Sequence, residues 1–161
     1  MTRHLLPLMS LALALPLFVG CVPGPRTPVD GVVTQAAGSH PGIDMAEALG
    51  RPIIAICRGT VVYAGPAGNC GNLIEINHDN GYKTRYCHLS GFAVRPGPVG
   101  TGQVIGFVGS TGYSTGPHLH FELYHDGVFL PAQLNAAFPL GSTVHQGAPW
   151  GGGLDPALPC P

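Results

Sequence analysis

Charge is scarce in this chain. Only 9% of its 161 residues are Asp, Glu, Lys or Arg, and 7 basic side chains stand against 8 acidic ones, a formal charge of −1. A polyanion-binding surface needs clustered Lys and Arg to displace counterions, so no nucleic-acid partner is expected. Uninterrupted helical patterns are lacking too, because 25 Gly and 17 Pro punctuate the chain, which disfavours a helix bundle or coiled coil. No Gly-x-x-x-x-Gly-Lys-Ser/Thr occurs, and no helical pattern follows the glycines between 97 and 116, so a phosphate loop is excluded. There is no internal repeat. What remains is a 45% hydrophobic chain arranged in short alternating runs, the pattern of one all-β domain built from short strands and tight turns.

The N-terminus reads as an export signal over residues 1–20. Arg3 precedes an apolar run from Leu5 to Val19 that Pro7 and Pro16 interrupt, too short and broken for a comfortable membrane span. Phe18-Val19-Gly20-Cys21 resembles a bacterial lipobox, in which the Cys carries the lipid and becomes the first residue. The expected product is a lipoprotein held to the membrane through Cys21, outside the cytoplasm. Ordinary cleavage nearby, with Cys21 left as a disulfide partner, is the alternative. Residues 21–31 then form a Pro-rich spacer, 32–136 the folded domain, and 137–161 a Gly/Pro-rich tail over its surface.

Strand signals are dense from Pro52 onward, over 52–56, 60–64, 73–78, 83–88, 103–108 and 118–124. Asn80-Gly81 predicts a two-residue hairpin turn with φ > 0 at both positions. Counting back from that turn places His88 opposite Leu73, Tyr86 opposite Glu75 and Ile74 opposite Cys87. Tyr86 and His88 then share one face, turned to a cleft.

The chemistry lies in the histidines. His118-Leu119-His120 sits on a strand, so His118, His120 and Glu122 emerge on one face, neighbours about 7 Å apart. In the loop before the first of those strands, His40-Pro41-Gly42-Ile43-Asp44 offers an imidazole and a carboxylate, and Gly42 lets the backbone fold tightly between them. Two His and one carboxylate leave a fourth zinc position open, the catalytic rather than the structural arrangement. Glu122 has two readings, orienting a ligand imidazole from behind or forming a surface salt bridge. His4, His78, His125 and His145 lack partners at useful spacing and are read as non-catalytic.

These residues resemble the lysostaphin-like (LytM-type) zinc metallopeptidases that cut the peptide bridges of bacterial murein. The resemblance runs from His40-Pro41-Gly42-Ile43-Asp44 through Gly71-Asn72, Asn77-His78 and Tyr86-Cys87-His88-Leu89-Ser90 to Gly109-Ser110-Thr111-Gly112 and Gly116-Pro117-His118-Leu119-His120-Phe121-Glu122. It implies one Zn2+ per chain held by His40, Asp44 and His120, a catalytic pair in His88 and His118, and a peptidoglycan peptide as substrate. It further implies an antiparallel β sandwich with an open groove over the zinc; a monomer is expected. Members of the family often place a Tyr shortly before the first ligand His. Thr34-Gln35-Ala36-Ala37-Gly38-Ser39 contains none, which leaves His88, His118 or Tyr113 to stabilise the transition state. His118, two residues from a ligand on the same strand, is the favoured base, with His88 then donating to the oxyanion. A catalytically silent envelope regulator is the alternative function. A zinc-carrying lipoprotein should show extra His-rich or acidic tracts, and none occurs.

Removing Cys21 from five cysteines leaves Cys57, Cys70, Cys87 and Cys160, an even set that admits three pairings. A Cys70–Cys87 bridge needs the segment 68–71 to fold back over the sheet, which its two glycines permit. Cys57 then pairs with Cys160, or both stay free; all four reduced is the remaining alternative.

Overall fold

The computed structural model describes residues 24–150 and 160; the signal segment and Cys21 lie outside them. Twelve strands alternate with tight turns: β1 Gly31–Gln35, β2 Ile43–Ala46, β3 Pro52–Ile54, β4 Gly59–Pro66, β5 Asn72–Asn77, β6 Tyr82–Cys87, β7 Gly91–Phe92, β8 Gly97–Val99, β9 Val104–Phe107, β10 His118–His125, β11 Val128–Phe129 and, after one short helix α1 Pro131–Ala137, β12 Thr143–Val144. Nine of them form one sheet in the order β12-β1-β2-β10-β6-β5-β4-β8 with β11 beside β10, and β3, β9 and β7 form a second. Every paired strand in both sheets is antiparallel.

Alternation along the strands sorts this sheet into an apolar and a polar face. Ile43 of β2, Phe121 of β10, Tyr86 of β6 and Ile74 of β5 lie in one row across it, and all four are fully buried. Ile53 and Ile105 of the smaller sheet and Leu134 of α1 close over that face. Each such side chain contributes about 1.5–3 kcal/mol, which pins the register against a one-residue slip that would turn the core residues outward. The next row, Glu75, Arg85 and Glu122, carries the polar face on which the site is built.

Four expectations need correction. The hairpin pairs Ile74 with Tyr86 and Glu75 with Arg85, one residue from the expected register. Asn80 and Gly81 do take φ of 59° and 78°, but the loop has three residues, closed by the His78 N–H donating to the Tyr82 carbonyl at 2.8 Å. Cys87 therefore faces the polar side opposite His120, and Tyr86 faces the core. Second, Ile43 and Asp44 are strand residues of β2, not loop residues. Third, the chain after 136 is more than a surface tail: Phe138 and Cys160 are buried, Phe138 packs edge-on against Trp150 with centroids 4.9 Å apart, and β12 pairs with β1. Finally, residues 24–31 are docked rather than a free spacer. The Gly24 N–H donates to the Cys160 carbonyl and the Arg26 N–H to the Ile56 carbonyl, at 3.1 and 2.9 Å.

Disulfides join Cys57 to Cys160 and Cys70 to Cys87 across Cα separations of 5.2 and 4.9 Å, ordinary spans for a bridge. The fold-back that places Cys70 is a 3-10 turn over Gly68–Cys70, entered and left by glycines at φ of 53° and 63°.

Candidate metallopeptidase site

Three adjacent strand ends and two loops assemble the site. Asp44 on β2 lies directly opposite His120 on β10, and His118 is two residues back on the same face. His40 comes from the loop between β1 and β2. The side chain of Asn135 on α1 clamps that loop, accepting from the Ala37 N–H and donating to its carbonyl, each at 2.8 Å. Gly42 follows His40 at φ 121°; a Cβ there would stand 2.6 Å from two atoms of the His120 ring, so the bare backbone packs flat against that imidazole.

His88 arrives by a different route. Simple strand alternation would send it into the core with Tyr86, but it follows the last residue of β6 in a left-handed conformation, φ 65°. Its N–H donates to the Cys70 carbonyl at 2.7 Å, and the ring is turned out beside His118, centroids 4.6 Å apart. The structure thus brings together all five residues singled out in the sequence, in a cleft of about 400 Å³ that Tyr113, Asn69 and Gln35 also line. His78 stands elsewhere, bonded to the Arg58 carbonyl and Thr84, and His125 stacks on Tyr82.

Asp44 is the hub. Its Oδ1 lies 2.7 Å from His120 Nδ1, 3.4 Å from His40 Nε2 and 3.8 Å from His118 Nε2. One ligand atom each from His40, Asp44 and His120 falls within 4.8 Å of the others. A metal is thus fitted by the donor chemistry, two imidazoles and a carboxylate converging from separate elements. Burial would raise the Asp44 carboxyl, but hydrogen bonds and charge from His120, with help from His118 and His40, outweigh it and hold the group below its usual value. Burial opposes charge on His120, yet its hydrogen bonds to Asp44 and Glu122 push it up to about 9. In the metal-free ring both nitrogens then carry hydrogen, one facing Asp44 and one facing Glu122.

The other two imidazoles have defined tautomers. His88 Nδ1 lies 2.7 Å from the Thr111 carbonyl and His118 Nδ1 lies 2.8 Å from the Gly116 carbonyl. A carbonyl only accepts, so each Nδ1 carries its hydrogen and each Nε2 keeps a free lone pair. Burial, together with the neighbouring His118 and His120, lowers the His88 pKa against the pull of the Thr111 carbonyl.

Thr111 was not foreseen from the sequence. Besides holding His88, its hydroxyl accepts from the Asn72 N–H at 2.9 Å and donates to the Leu89 carbonyl at 3.0 Å. That ties the Gly-rich loop to the start of β5. Its only sequence signal was its place in Gly109-Ser110-Thr111-Gly112.

Residues 38–131 match the description of peptidase family M23. The chain belongs to that family. It is 50% identical over 88 residues to "DD-carboxypeptidase/endopeptidase Mpg" of Neisseria meningitidis, covering 55% of this chain and 20% of that protein. It is 42% identical over 113 residues to "Peptidoglycan DD-endopeptidase ShyA" of Vibrio cholerae, covering 70% of this chain and 26% of the relative. The chain thus spans about a fifth to a quarter of the length of these curated relatives. Among solved structures, the catalytic domain of lysostaphin from Staphylococcus simulans superposes with a TM-score of 0.55 at 35% identity, over 66% of this chain and 86% of that one. The M23 chain is therefore a lysostaphin-like, metallopeptidase-family fold. No feature of the site favours the catalytically silent alternative.

Proposed function

We propose that this M23 chain is a zinc-dependent endopeptidase that hydrolyses the peptide cross-bridges of bacterial peptidoglycan. The observation that carries the reading is the convergence of His40, Asp44 and His120 around one point, with two free imidazole Nε2 atoms beside it. A divalent ion held by those three residues supplies acidified water and a polarised carbonyl. The borderline N/O donor set suits zinc.

The protein's own residues supply the proton path. His118 Nε2, beside the ligand carboxylate, takes the proton from the attacking water and returns it to the leaving amine nitrogen. His88 presents a second Nε2 lone pair to the same space and accepts a hydrogen bond from that water, aiming it. The oxyanion-donor role expected of His88 would require a second proton on its ring, which burial opposes. An extended peptide would run through the cleft, between His40 and Tyr113 of its lining.

The proposed site also suits an envelope location. Residues 24–26 are clasped beside Ile56 and Cys160. Cys21 precedes Gly24 by three residues, a reach of about 11 Å at most. A lipid on Cys21 would therefore hold the domain close to the membrane.

The test is zinc content and murein digestion by five alanine variants of the full chain. His40→Ala, Asp44→Ala and His120→Ala should lose both metal and activity; His88→Ala and His118→Ala should keep the metal and lose activity. Zinc lost from His118→Ala and retained by His120→Ala would invert the assignment, and muropeptide analysis would identify the bond cut.

A further inference from the structure

Behind the ligand imidazoles lies a carboxylate that the proposed reaction does not use. Glu122 is 2% exposed, and the salt bridge considered for it exists, with Arg85, but at a buried carboxylate rather than on the surface. Its Oε1 lies 3.2 Å from His120 Nε2. Its Oε2 accepts from Arg85 Nη1 and from the Tyr124 hydroxyl, each at 2.7 Å. Arg85 is itself fixed from the other side, its Nε 3.5 Å from Glu75 Oε2, and Glu75 pairs with Lys83 at 2.8 Å. Glu122, Arg85 and Glu75 occupy directly opposite positions on β10, β6 and β5, so sheet register rather than flexible side-chain reach sets the spacing.

A carboxylate oxygen accepts and cannot donate, so both nitrogens of the metal-free ring carry a hydrogen, Nδ1 facing Asp44 at 2.7 Å and Nε2 facing Glu122 at 3.2 Å. A metal ion held by His120 and Asp44 would replace the hydrogen on Nδ1, and the Glu122 contact would keep the one on Nε2. This reverses the arrangement at His88 and His118, where Nδ1 is held and Nε2 is free. It also separates the two ligand imidazoles, because the far nitrogen of His40, Nδ1, is buried with no hydrogen-bond partner among the described residues. Only one of the two ligand histidines therefore has its ring and tautomer set from behind.

We infer that Glu122 is a positioning residue of the metal centre: it fixes His120 in the tautomer and ring orientation that offer Nδ1 to the ion, with Arg85 and Tyr124 fixing Glu122 in turn. Such partners behind ligand imidazoles raise ligand basicity, and losing one typically weakens metal binding 10–100-fold. The inference rests on the reading of His40, Asp44 and His120 as ligands.

The experiment is a zinc dissociation constant, measured by chelator competition on the full chain for wild type, Glu122→Gln, Glu122→Ala and Asp44→Ala. Melting in excess chelator reports the folding of each variant separately. Glu122→Ala should bind zinc about 10–100-fold more weakly. Glu122→Gln, whose amide oxygen can still accept from Nε2, should recover most of that loss. Imidazole nitrogen NMR of the zinc-loaded wild type should show hydrogen on His120 Nε2 and none on Nδ1, an observation that stands even if Glu122→Ala fails to fold. Lower melting temperatures with unchanged zinc affinity in both Glu122 variants would make the network merely structural and overturn the inference. So would a zinc-loaded His120 protonated at Nδ1. Equal zinc binding by wild type and Asp44→Ala would instead remove the metal reading itself, and this inference with it.

Discussion

Replacing Gly42 by Ala tests how tightly the backbone is built against the proposed metal centre. Gly42 has φ 121°, a conformation that L side chains rarely adopt, and an added Cβ would stand 2.6 Å from His120 Cε1 and Nε2 and 2.8 Å from the Phe121 carbonyl. The backbone term costs about 1–3 kcal/mol, and forcing a methyl into filled space costs about 1–3 kcal/mol more. The Phe121 carbonyl belongs to the central sheet and cannot give way, so the imidazole must. A central value near 4 kcal/mol lowers Tm by about 10–15 °C for a domain of this size. Gly38→Ala is the control, because its φ is 135° but nothing stands within 4 Å of the added Cβ. Scanning calorimetry and chelator competition on both variants separate the two contributions. Gly38→Ala should lose only the backbone part and keep its metal affinity, whereas Gly42→Ala should lose stability and bind zinc at least tenfold more weakly. Wild-type zinc affinity in Gly42→Ala would refute the argument that the bare backbone places the His120 ring.

Acidity should act in opposite directions on the two forms of the protein. The His120 pKa is raised from 6.5 to about 9 in the metal-free fold, so the stabilisation it supplies is fully present below pH 6.5 and is lost as pH rises through about 9. In excess chelator, Tm should fall between pH 6.5 and 9; zinc affinity should rise over that range as the competing proton leaves. A chelated protein equally stable at pH 6 and 9 would contradict the proton-bridged centre. The Cys57–Cys160 bridge closes a loop with a sequence separation of 103, worth about 4–5 kcal/mol on the chain-entropy account. Cys57→Ser/Cys160→Ser should therefore melt well below wild type while retaining zinc, read by calorimetry and metal analysis.

Spacing along the chain was enough for some of the site. His118, His120 and Glu122 share a face because alternation in a strand is a local property of the backbone, and Gly42 between His40 and Asp44 marks a tight approach whatever lies opposite. The sequence motif alone also carried the family. His88 was legible as a candidate but not as a geometry: its parity with Tyr86 points it into the core, and one left-handed backbone conformation, held by the Cys70 carbonyl, turns it outward. The hairpin register failed for a similar reason. Asn80-Gly81 announces positive φ but not how many residues close the loop, and that single residue decides which face Cys87 and Arg85 occupy.

By itself, the amino-acid order determined the short alternating strands, the paired histidines and the turn residues, because each depends on neighbours within a few positions. Tertiary structure decided what those neighbours could not. It set Asp44 against three imidazoles, seated Thr111 beneath His88, put Glu122 behind His120, and packed Phe138 and Trp150 into a core from a segment whose glycines and prolines read as a tail. These contacts join residues tens of positions apart. Which of them form depends on how the two sheets and the helix bury their apolar faces together, a balance summed over the whole domain that no short stretch of sequence contains.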